Sequence, residues 1–290
     1  MEQIVTIEDE RYPKLLKEIG ADAPKKLYYK GNWSDDIFKN CLAVVGSRHL
    51  TSYGRKITEQ LVTEIAAAGI TIVSGFMYGG DEAAHSATVR IGKRTIAVMP
   101  CGIDLIHPEY QEKLYNEILE KNGLIISEFE GKFLPVNWTY AKRNRIVAGL
   151  SKAILIVEAG LNSGTLITAG YAKKYGRKIF AVPGQITSEV SKGTIKLIKE
   201  GAEVATEPKD ILKYYNISLA NLRDTGSYAK SNLIFSREEQ KIIEQLKREP
   251  MEADTIARTL GVSVVKIGVA LSLMQLKGFI NQESGKYYIN

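Results

Sequence analysis

Short apolar runs alternate with amphipathic stretches through the first 215 residues of the chain. The clearest run is Ala153–Val157 (AILIV), which is short, β-branched and almost uninterrupted, as in a strand buried on both faces. We predict seven such strands, at 42–45, 70–73, 95–99, 124–127, 153–157, 178–182 and 203–205. We predict helices among them at 54–68, 81–91, 110–121, 144–150, 163–175, 194–200 and 208–214. This alternation indicates an α/β fold, a mostly parallel sheet with helices on both faces.

The pattern changes after residue 215. Residues 216–235 are polar and read as a linker. Three predicted helices follow, at 236–247, 252–260 and 263–276, and a hairpin closes the chain with strands at 278–280 and 287–289. Three helices and a hairpin are typical of a winged helix-turn-helix. We therefore divide the chain into a short lead-in (1–33), a sheet domain (34–215), a linker (216–235) and a winged-helix domain (236–290).

Composition narrows the class of protein. The chain has 290 residues and a net charge of +6, which mildly favours polyanionic partners. Two cysteines are too few for a disulfide framework and fit a reducing compartment. No apolar run approaches the roughly 20 residues of a membrane span, and the N-terminus has no signal-peptide pattern. We expect a cytoplasmic protein that does not enter a membrane.

The turn after the first predicted strand is a candidate phosphate site. Gly46 permits close backbone approach, Ser47 can cap or bind phosphate, and Arg48 can place two donors on phosphate oxygens. The alternative is a capping turn with a solvated arginine. Neither a GxGxxG fingerprint nor a P-loop occurs in the chain, so we expect no dinucleotide cofactor, and no other cofactor is indicated.

A second candidate lies around the strand 153–157. Before it, Trp138 and Tyr140 interleave with Lys142, Arg143 and Arg145, a pattern that suits the bases and phosphates of a single strand. After it, Ser163, Gly164 and Thr165 open a helix, whose free N–H groups suit a phosphate. The alternatives are a solvated charged face and an ordinary N-cap. Because two candidate anion sites converge on one rim of the sheet, we favour the binding of a nucleic acid or nucleotide phosphate over these alternatives.

Catalytic and metal signatures are missing from the sequence. Asp81 and His85 are spaced for a contact on one helix, but a capping aspartate and a packing histidine explain them better than an acid–base pair. The three histidines show no metal-ligand spacing with the cysteines. We predict no metal and no catalytic residue. The helix 263–276 carries Lys266 as its only basic residue, so a protein contact is at least as reasonable for it as DNA reading.

With these residues in view, the chain resembles the DNA-processing protein A family. The resemblance spans Arg11 to Leu212, and it rests on many motifs in one order: AVVGSR (43–48), SGFMYGGDEAAH (74–85), AVMPCGID (97–104), RNRIVAGLS (143–151), EAGLNSGTLITA (158–169) and AVPGQITSEVSKGTIKLIKEGA (181–202). It implies an extended Rossmann-like fold that binds single-stranded DNA, often as a homodimer. It also implies loading of a RecA-type recombinase onto incoming DNA in natural transformation.

The resemblance also assigns residues. It places Gly46, Ser47 and Arg48 in the family's phosphate pocket, and Lys142, Arg143, Asn144 and Arg145 on its basic DNA-facing segment. We add Gly75, in the loop after the second strand, to the phosphate-binding set, and Tyr78, Trp138 and Tyr140 as candidates for base stacking.

Two departures from the family stand out. Tyr78 occupies the place of an arginine that the family uses to hold DNA, which leaves either base stacking or a weaker phosphate contact at that position. The N-terminal helical domain of many members has no counterpart in the short lead-in, so its function is not expected here.

A rival of another class is a nucleotide-processing enzyme similar to the LOG phosphoribohydrolases. Their PGGxGTxxE motif corresponds to Ala159–Thr165 followed by Leu166-Ile167-Thr168, where the catalytic glutamate is missing. A sensor of a small nucleotide is the remaining alternative, because the same pocket would serve it.

Overall fold

The computed structural model describes residues 3–217, 236–276 and 279–289. The chain divides into two compact units, Met1–Tyr228 and Ala229–Asn290. Of the predicted linker 216–235, everything from residue 218 onward lies outside the described residues, as does Gly278 at the start of the predicted hairpin.

The first unit alternates strands and helices as the pattern predicts. Its strands are β1 Gln3–Thr6, β2 Lys26–Gly31, β3 Cys41–Val45, β4 Thr71–Ser74, β5 Thr95–Val98, β6 Leu124–Ser127, β7 Ala153–Ile156, β8 Lys178–Ala181 and β9 Glu203–Val204. Its α-helices are α1 Lys14–Lys17, α2 Ser52–Ala67, α3 Gly80–Arg90, α4 Glu112–Glu120, α5 Asn137–Leu150, α6 Gly164–Lys174, α7 Lys192–Lys199 and α8 Pro208–Tyr214. The predicted α/β fold and all seven predicted strands, β3 to β9, are confirmed.

The strand order creates a crevice next to the central strand. The nine strands form one sheet in the order β1-β2-β6-β5-β4-β3-β7-β8-β9, and β3 to β9 pair in parallel. The chain builds outward from β3 on one side and then returns to add β7 on the other. The loops after β3 and β7 therefore leave in different directions. In open α/β sheets, ligands bind in the crevice between such loops.

Two strands from the lead-in, β1 and β2, join this sheet, a feature that the apolar pattern does not predict. β1 pairs with β2, and β2 with β6, both antiparallel. Because β2 runs antiparallel to β6, the first residues of β2 lie at the end of the sheet where the parallel strands have their C-termini.

The core lies in two layers, one on each face of the sheet. Along β3, Ala43 and Val45 pack on one face with residues of α1, α5 and α6, while Leu42 and Val44 pack on the other with residues of α2, α3 and α8. A strand covered on both faces must be apolar at every position, which explains why the parallel strands read as unbroken apolar runs.

Helix α5 begins earlier than predicted. The apolar pattern places its start at Asn144, with the basic and aromatic cluster in a preceding loop, but the helix begins at Asn137. The buried residues of α5 include Thr139, Arg143 and Arg145, so polar residues occupy positions where the prediction required apolar ones. The cluster therefore lies on a helix, and neighbouring residues point to different sides.

The second unit is a winged helix, as predicted. It contains α9 Arg237–Leu246, β10 Met251–Glu252, α10 Ala253–Leu260, α11 Val264–Leu276, β11 Ile280–Glu283 and β12 Lys286–Ile289, with strand order β10-β12-β11. Ser236 caps α9 in a reciprocal pair with Glu239, and Gly261 ends α10 at a φ of 66°. The short strand β10 was not predicted.

Candidate nucleic-acid interface

A cavity of about 710 Å³ opens at the crevice between the loops after β3 and β7. Eleven of the predicted site residues line it: Gly46, Ser47, Arg48, Gly75, Tyr78, Tyr140, Arg143, Asn144, Ser163, Gly164 and Thr165. Trp138, Lys142 and Arg145 do not line it. The tertiary structure thus brings together the two predicted anion sites but separates the basic cluster.

The turn after β3 holds its serine and extends its arginine. The Ser47 N–H donates to the carbonyl of Glu158 at 2.8 Å, and the buried Ser47 hydroxyl accepts from the His49 N–H at 3.0 Å. Arg48 is exposed, and within the described parts of the chain no carboxylate forms an ion pair with it. Its guanidinium is therefore available to an incoming anion.

The N-terminus of α2 next to this turn is already occupied. The buried carboxylate of Glu158 accepts from the Thr51 N–H at 2.9 Å and from the Thr51 hydroxyl at 2.5 Å. Sequence reasoning missed Glu158, although its place directly beyond β7 is a signal. Thr51 itself caps α2 by accepting from the Gly54 N–H, and Glu158 holds Thr51 in place, so an anion in the cavity is left with the N-terminus of α6.

Helix α6 opens into the cavity from the other side. Ser163 is its N-cap, and the Ser163 hydroxyl accepts from the Thr165 N–H at 3.2 Å, as predicted. Asn144 of α5 donates from Nδ2 to the carbonyl of Gly164 at 3.4 Å, which ties α5 to the first turn of α6. Gly164 is exposed, and a Cβ there would meet no atom within 4 Å, so a ligand can approach the backbone.

Two tyrosines flank the Arg48 guanidinium. Its central carbon lies 5.0 Å from the centre of the Tyr140 ring and 5.7 Å from that of Tyr78. The Tyr140 hydroxyl lies 2.9 Å from Nε2 of His107. Cation–π contacts orient the guanidinium, and both rings also offer faces to a base. Tyr78, in place of the family's arginine, thus supports Arg48 instead of supplying a second cation.

Arg143 is a buried part of the cavity floor, which corrects its predicted place on a DNA-facing basic segment. Its side chain is 4% exposed, it donates to the carbonyl of Val98, and it lies 3.8 Å from the Asp81 carboxylate. Burial lowers the pKa of Arg143 and raises that of Asp81, although each charge opposes the other's shift. Gly75 makes room for this pair, because a Cβ there would lie 2.3 Å from a guanidinium nitrogen.

His85 is a packing residue beneath this floor. Its ring nitrogens lie 2.6 Å from the Gly75 carbonyl and 2.9 Å from the Thr95 hydroxyl. Asp81 instead accepts from the Ser74 hydroxyl at 3.0 Å. Burial lowers the pKa of His85 to about 4, so the ring is neutral near pH 7. The packing interpretation of this histidine is confirmed.

Lys142 and Arg145 lie on another side of α5. Arg145 donates to the Glu128 carboxylate at 2.7 Å and is 9% exposed in its side chain, and Lys142 lies 3.2 Å from the same carboxylate. Glu128, which follows β6, is a second acidic residue that sequence reasoning missed. These two cations and Arg48 do not form one continuous patch around the cavity.

Two further features bear on the class of site. Within residues 3–217, 236–276 and 279–289, no group of three or more acidic, histidine or cysteine side chains is placed to hold a metal ion. In the same ranges, no single helix is long and apolar enough to span a membrane.

Comparison with known proteins places this architecture. Residues 3–216 match the family model of DNA recombination-mediator protein A, and residues 230–286 match that of the DprA winged helix domain. Protein Smf of Escherichia coli K12 is 34% identical over 291 residues, covering 98% of this chain and 76% of Smf. DNA processing protein DprA of Streptococcus pneumoniae R6 is 39% identical over 208 residues, covering 71% of this chain and 72% of that protein.

Two solved structures share the fold of the first unit. The X-ray structure of DprA from Streptococcus pneumoniae aligns with a TM-score of 0.68 at 38% identity, covering 73% of this chain and 74% of that one. A structure of DNA processing protein A from Helicobacter pylori, described for its single-stranded DNA binding mode, aligns with a TM-score of 0.65 at 33% identity and covers 74% and 98%. On these matches, the chain belongs to the DNA recombination-mediator protein A family.

Proposed function

We propose that the chain binds single-stranded DNA in the cavity between the loops after β3 and β7, without catalysis. One observation carries this proposal: Arg48, which is exposed and has no ion pair among the described residues, lies between two tyrosine rings and shares one cavity with the N-terminus of α6. A cation for phosphate, aromatic rings for bases and a helix N-terminus are thus combined in one cavity.

The phosphate chemistry divides between two elements. Arg48 supplies a charged fork that matches phosphate oxygens, and it needs no competing carboxylate to be displaced. In the first turn of α6, Ser163 already accepts from the N–H groups of Thr165 and Leu166, so this turn supplies the Gly164 N–H and the positive end of the helix dipole. Arg143 contributes positive charge from below without an exposed surface of its own.

The aromatic side chains favour a single strand over a duplex. Tyr140 and Tyr78 are within reach of bases only if those bases are unstacked and turned toward the protein. A duplex presents stacked bases and a backbone, so it would meet Arg48 but neither ring. The Helicobacter pylori relative, described for single-stranded DNA binding, supports the same ligand class at 33% identity.

The nucleotide-processing alternative is not favoured. Family membership links the chain to a recombination mediator, and the stretch Ala159–Thr168 offers no carboxylate where the phosphoribohydrolase motif requires one. The adjacent buried acid, Glu158, accepts hydrogen bonds from Thr51, the N-cap of α2. A nucleotide sensor would use the same donors, and the experiment below separates it from a DNA binder.

The test is fluorescence anisotropy of a labelled oligothymidylate on the full chain across a salt series, with duplex and thymidine monophosphate as competitors. We expect tight binding of the labelled single strand, which the duplex and the mononucleotide displace poorly. Arg48→Ala should weaken binding roughly tenfold or more, and the slope against salt should fall by about 0.7, the value for one phosphate contact on a single strand.

Arg90→Ala is the matched control. It removes the same charge at the far end of α3, where Arg90 is exposed and pairs with Glu59. Binding by Arg90→Ala should equal that of the wild type. Equal loss in both variants would mean that only net charge matters, and equal affinity for duplex and single strand would overturn the proposal.

We further propose that the chain acts in the cytoplasm as a homodimer that protects incoming DNA and loads a RecA-type recombinase during natural transformation. Family membership supports this role. Light scattering of the purified chain tests the dimer. Recombinase filament formation on strands coated with single-strand-binding protein tests loading, which should be faster with the wild type than with Arg48→Ala. A monomer at all concentrations, or loading that is indifferent to the chain, would contradict these roles.

A further inference from the structure

Helix α5 presents two polar faces, and the cavity uses one of them. Tyr140 and Asn144, four residues apart, line the cavity. Trp138, Lys142 and Arg145 share another face, because residues four and seven apart recur on one side of a helix. Tyr140 and Lys142 are two positions apart along α5, which places them on nearly opposite sides of the helix.

An exposed aromatic cluster surrounds the start of this second face. The rings of Phe129 and Phe133 stack with centres 4.8 Å apart, and Trp138 meets Phe129 edge-on at 5.8 Å. The Lys142 ammonium lies 5.5 Å from the rings of both Phe129 and Trp138. Trp138 is 54% exposed and Phe133 41%, so ring surface is open to a ligand beside a cation. Aromatic rings beside cations are the features that bind unstacked bases.

A basic depression of about 600 Å³ shares Lys142 with this cluster. It is lined by Lys25, Lys26, Lys142 and Arg145, together with Asp22, Ala21, Ala23, Tyr28 and Glu128. Its two carboxylates already have cationic partners: Asp22 contacts Lys174 at 2.5 Å, and Glu128 contacts Arg145 and Lys142.

The two lysines before and at the start of β2 supply the excess charge. Lys25 and Lys26 are exposed, and neither forms an ion pair within the described parts of the chain. They also lie at the same end of the sheet as the cavity, the C-terminal end of the parallel strands, because β2 is antiparallel to β6 and pairs Tyr28 with Ser127. The depression and the cavity are therefore two sites at one end of the sheet, on either side of α5.

We propose that this cluster and depression form a second segment of the single-strand path, in which Trp138 and Phe133 stack bases and Lys25, Lys26 and Lys142 contact phosphates. The strand leaves the cavity, crosses the exposed N-terminal half of α5 and enters the depression. This inference rests on the proposed function and adds the lead-in to it. A helix is about 10–12 Å across, so only a strand of several nucleotides reaches both segments.

Oligonucleotide length separates the two segments. Anisotropy is measured on the full chain with oligothymidylates of about four and about sixteen nucleotides, the range of a single-strand site. The double variant Lys25→Ala/Lys26→Ala should bind the short strand as the wild type does. For the long strand its salt slope should fall by about 1.4, the value for two phosphate contacts. Trp138→Ala should weaken the long strand roughly tenfold and leave the short strand unchanged.

The control Lys93→Ala/Lys121→Ala removes the same charge at the opposite end of the sheet, just before β5 and β6 begin, where both lysines are exposed. If Lys25→Ala/Lys26→Ala behaves like this control at both lengths, the second segment does not exist. If it weakens both lengths equally, the lysines act only through net charge, and the inference also fails. Either result leaves the proposed function standing as long as Arg48→Ala weakens both lengths.

Discussion

In the first unit, the loops after β3 and β7 bring Arg48, two tyrosine rings and the start of α6 to one cavity. In the winged-helix unit, the helix that reads DNA in this fold class is α11, and it exposes Val265, Val269 and Leu273. Val265 alone is 77% exposed, and Lys266 is the only basic residue of the helix. Two folds that both occur in DNA-binding proteins thus carry opposite surface chemistry within one chain.

The difference teaches that fold class by itself does not assign DNA binding to a unit. With Lys266 as its single cation, α11 can release few counterions, and counterion release supplies most non-specific affinity. The sheet unit has one free arginine at its cavity, and the surrounding cations are buried or paired, so its binding depends on placement more than on charge number. The four predictions below test this contrast, starting from the largest expected effect.

Acid should destabilise the first unit selectively, because all three histidines of the chain lie there. The pKa of His85 is lowered to about 4 by burial, from an ordinary 6.5. Below pH 6.5 His85 takes up a proton in the unfolded chain but stays neutral in the folded unit. The free energy of unfolding therefore decreases as the pH is lowered. The loss should reach about 3 kcal/mol between pH 6.5 and pH 4.

His85→Gln isolates this effect, since glutamine can keep the hydrogen bonds to Gly75 and Thr95 without titrating. Asp81, whose pKa burial raises, has the opposite dependence on pH and is present in both proteins. Urea unfolding followed by tryptophan fluorescence reports the first unit alone, because both tryptophans lie in it. Parallel pH curves for the two proteins would show that His85 is not held neutral.

Gly80→Ala should destabilise the first unit by roughly 1–3 kcal/mol through overpacking. A Cβ at this position would lie 2.5 Å from the Cα of Gly46, in the turn that carries Arg48. The same urea experiment gives the stability, and anisotropy should show weakened DNA binding because the turn must move. Stability and binding equal to the wild type would mean that the two loops do not cross so closely.

Gly268→Ala in α11 should have the opposite sign. A Cβ there would meet nothing within 4 Å, and alanine in a helix interior is more stable than glycine by about 1 kcal/mol. Slower amide hydrogen exchange along α11 is the expected measurement, with tryptophan-detected unfolding of the first unit unchanged. Faster exchange would indicate that the position of Gly268 is needed for packing.

Lys266→Ala should have the smallest effect, a change in the dissociation constant for single-stranded DNA of less than about twofold. The variant removes the one cation of α11, while Arg48→Ala in the same titration weakens binding strongly. Comparable losses in the two variants would restore the winged-helix unit as a DNA-binding element and break the contrast between the units.

Much of the fold was predictable, for a physical reason that applies unevenly. Strands β3 to β8 are buried on both faces or nearly so, and such strands announce themselves as short apolar runs. Strand β2, with the sequence KLYYKG, is paired on both sides but is exposed at its ends, so its pattern is mixed. Strand β1, at the sheet edge, is likewise half exposed. Neither gives the signal on which the prediction depended.

The site was predictable in its parts but not in its arrangement. Gly46–Arg48 and Ser163–Thr165 carry local turn and capping signals, which act over a few residues and can be read in one dimension. The start of α5 gives no such signal, because Arg143 replaces an apolar residue on its buried face. A buried arginine is readable only together with its partners, and Asp81 and Val98 come from other elements.

The sequence by itself determined the alternation of strands and helices, the winged-helix unit, the family and the two turns that we propose as the anion site. Each of these rests on local preference or on motif order. Only the tertiary structure decided which cations are free. Arg143 is buried against Asp81, Arg145 and Lys142 are paired with Glu128, and Arg48 remains exposed between Tyr78 and Tyr140. A charge acts through its burial and its partners, and both come from segments far away along the chain.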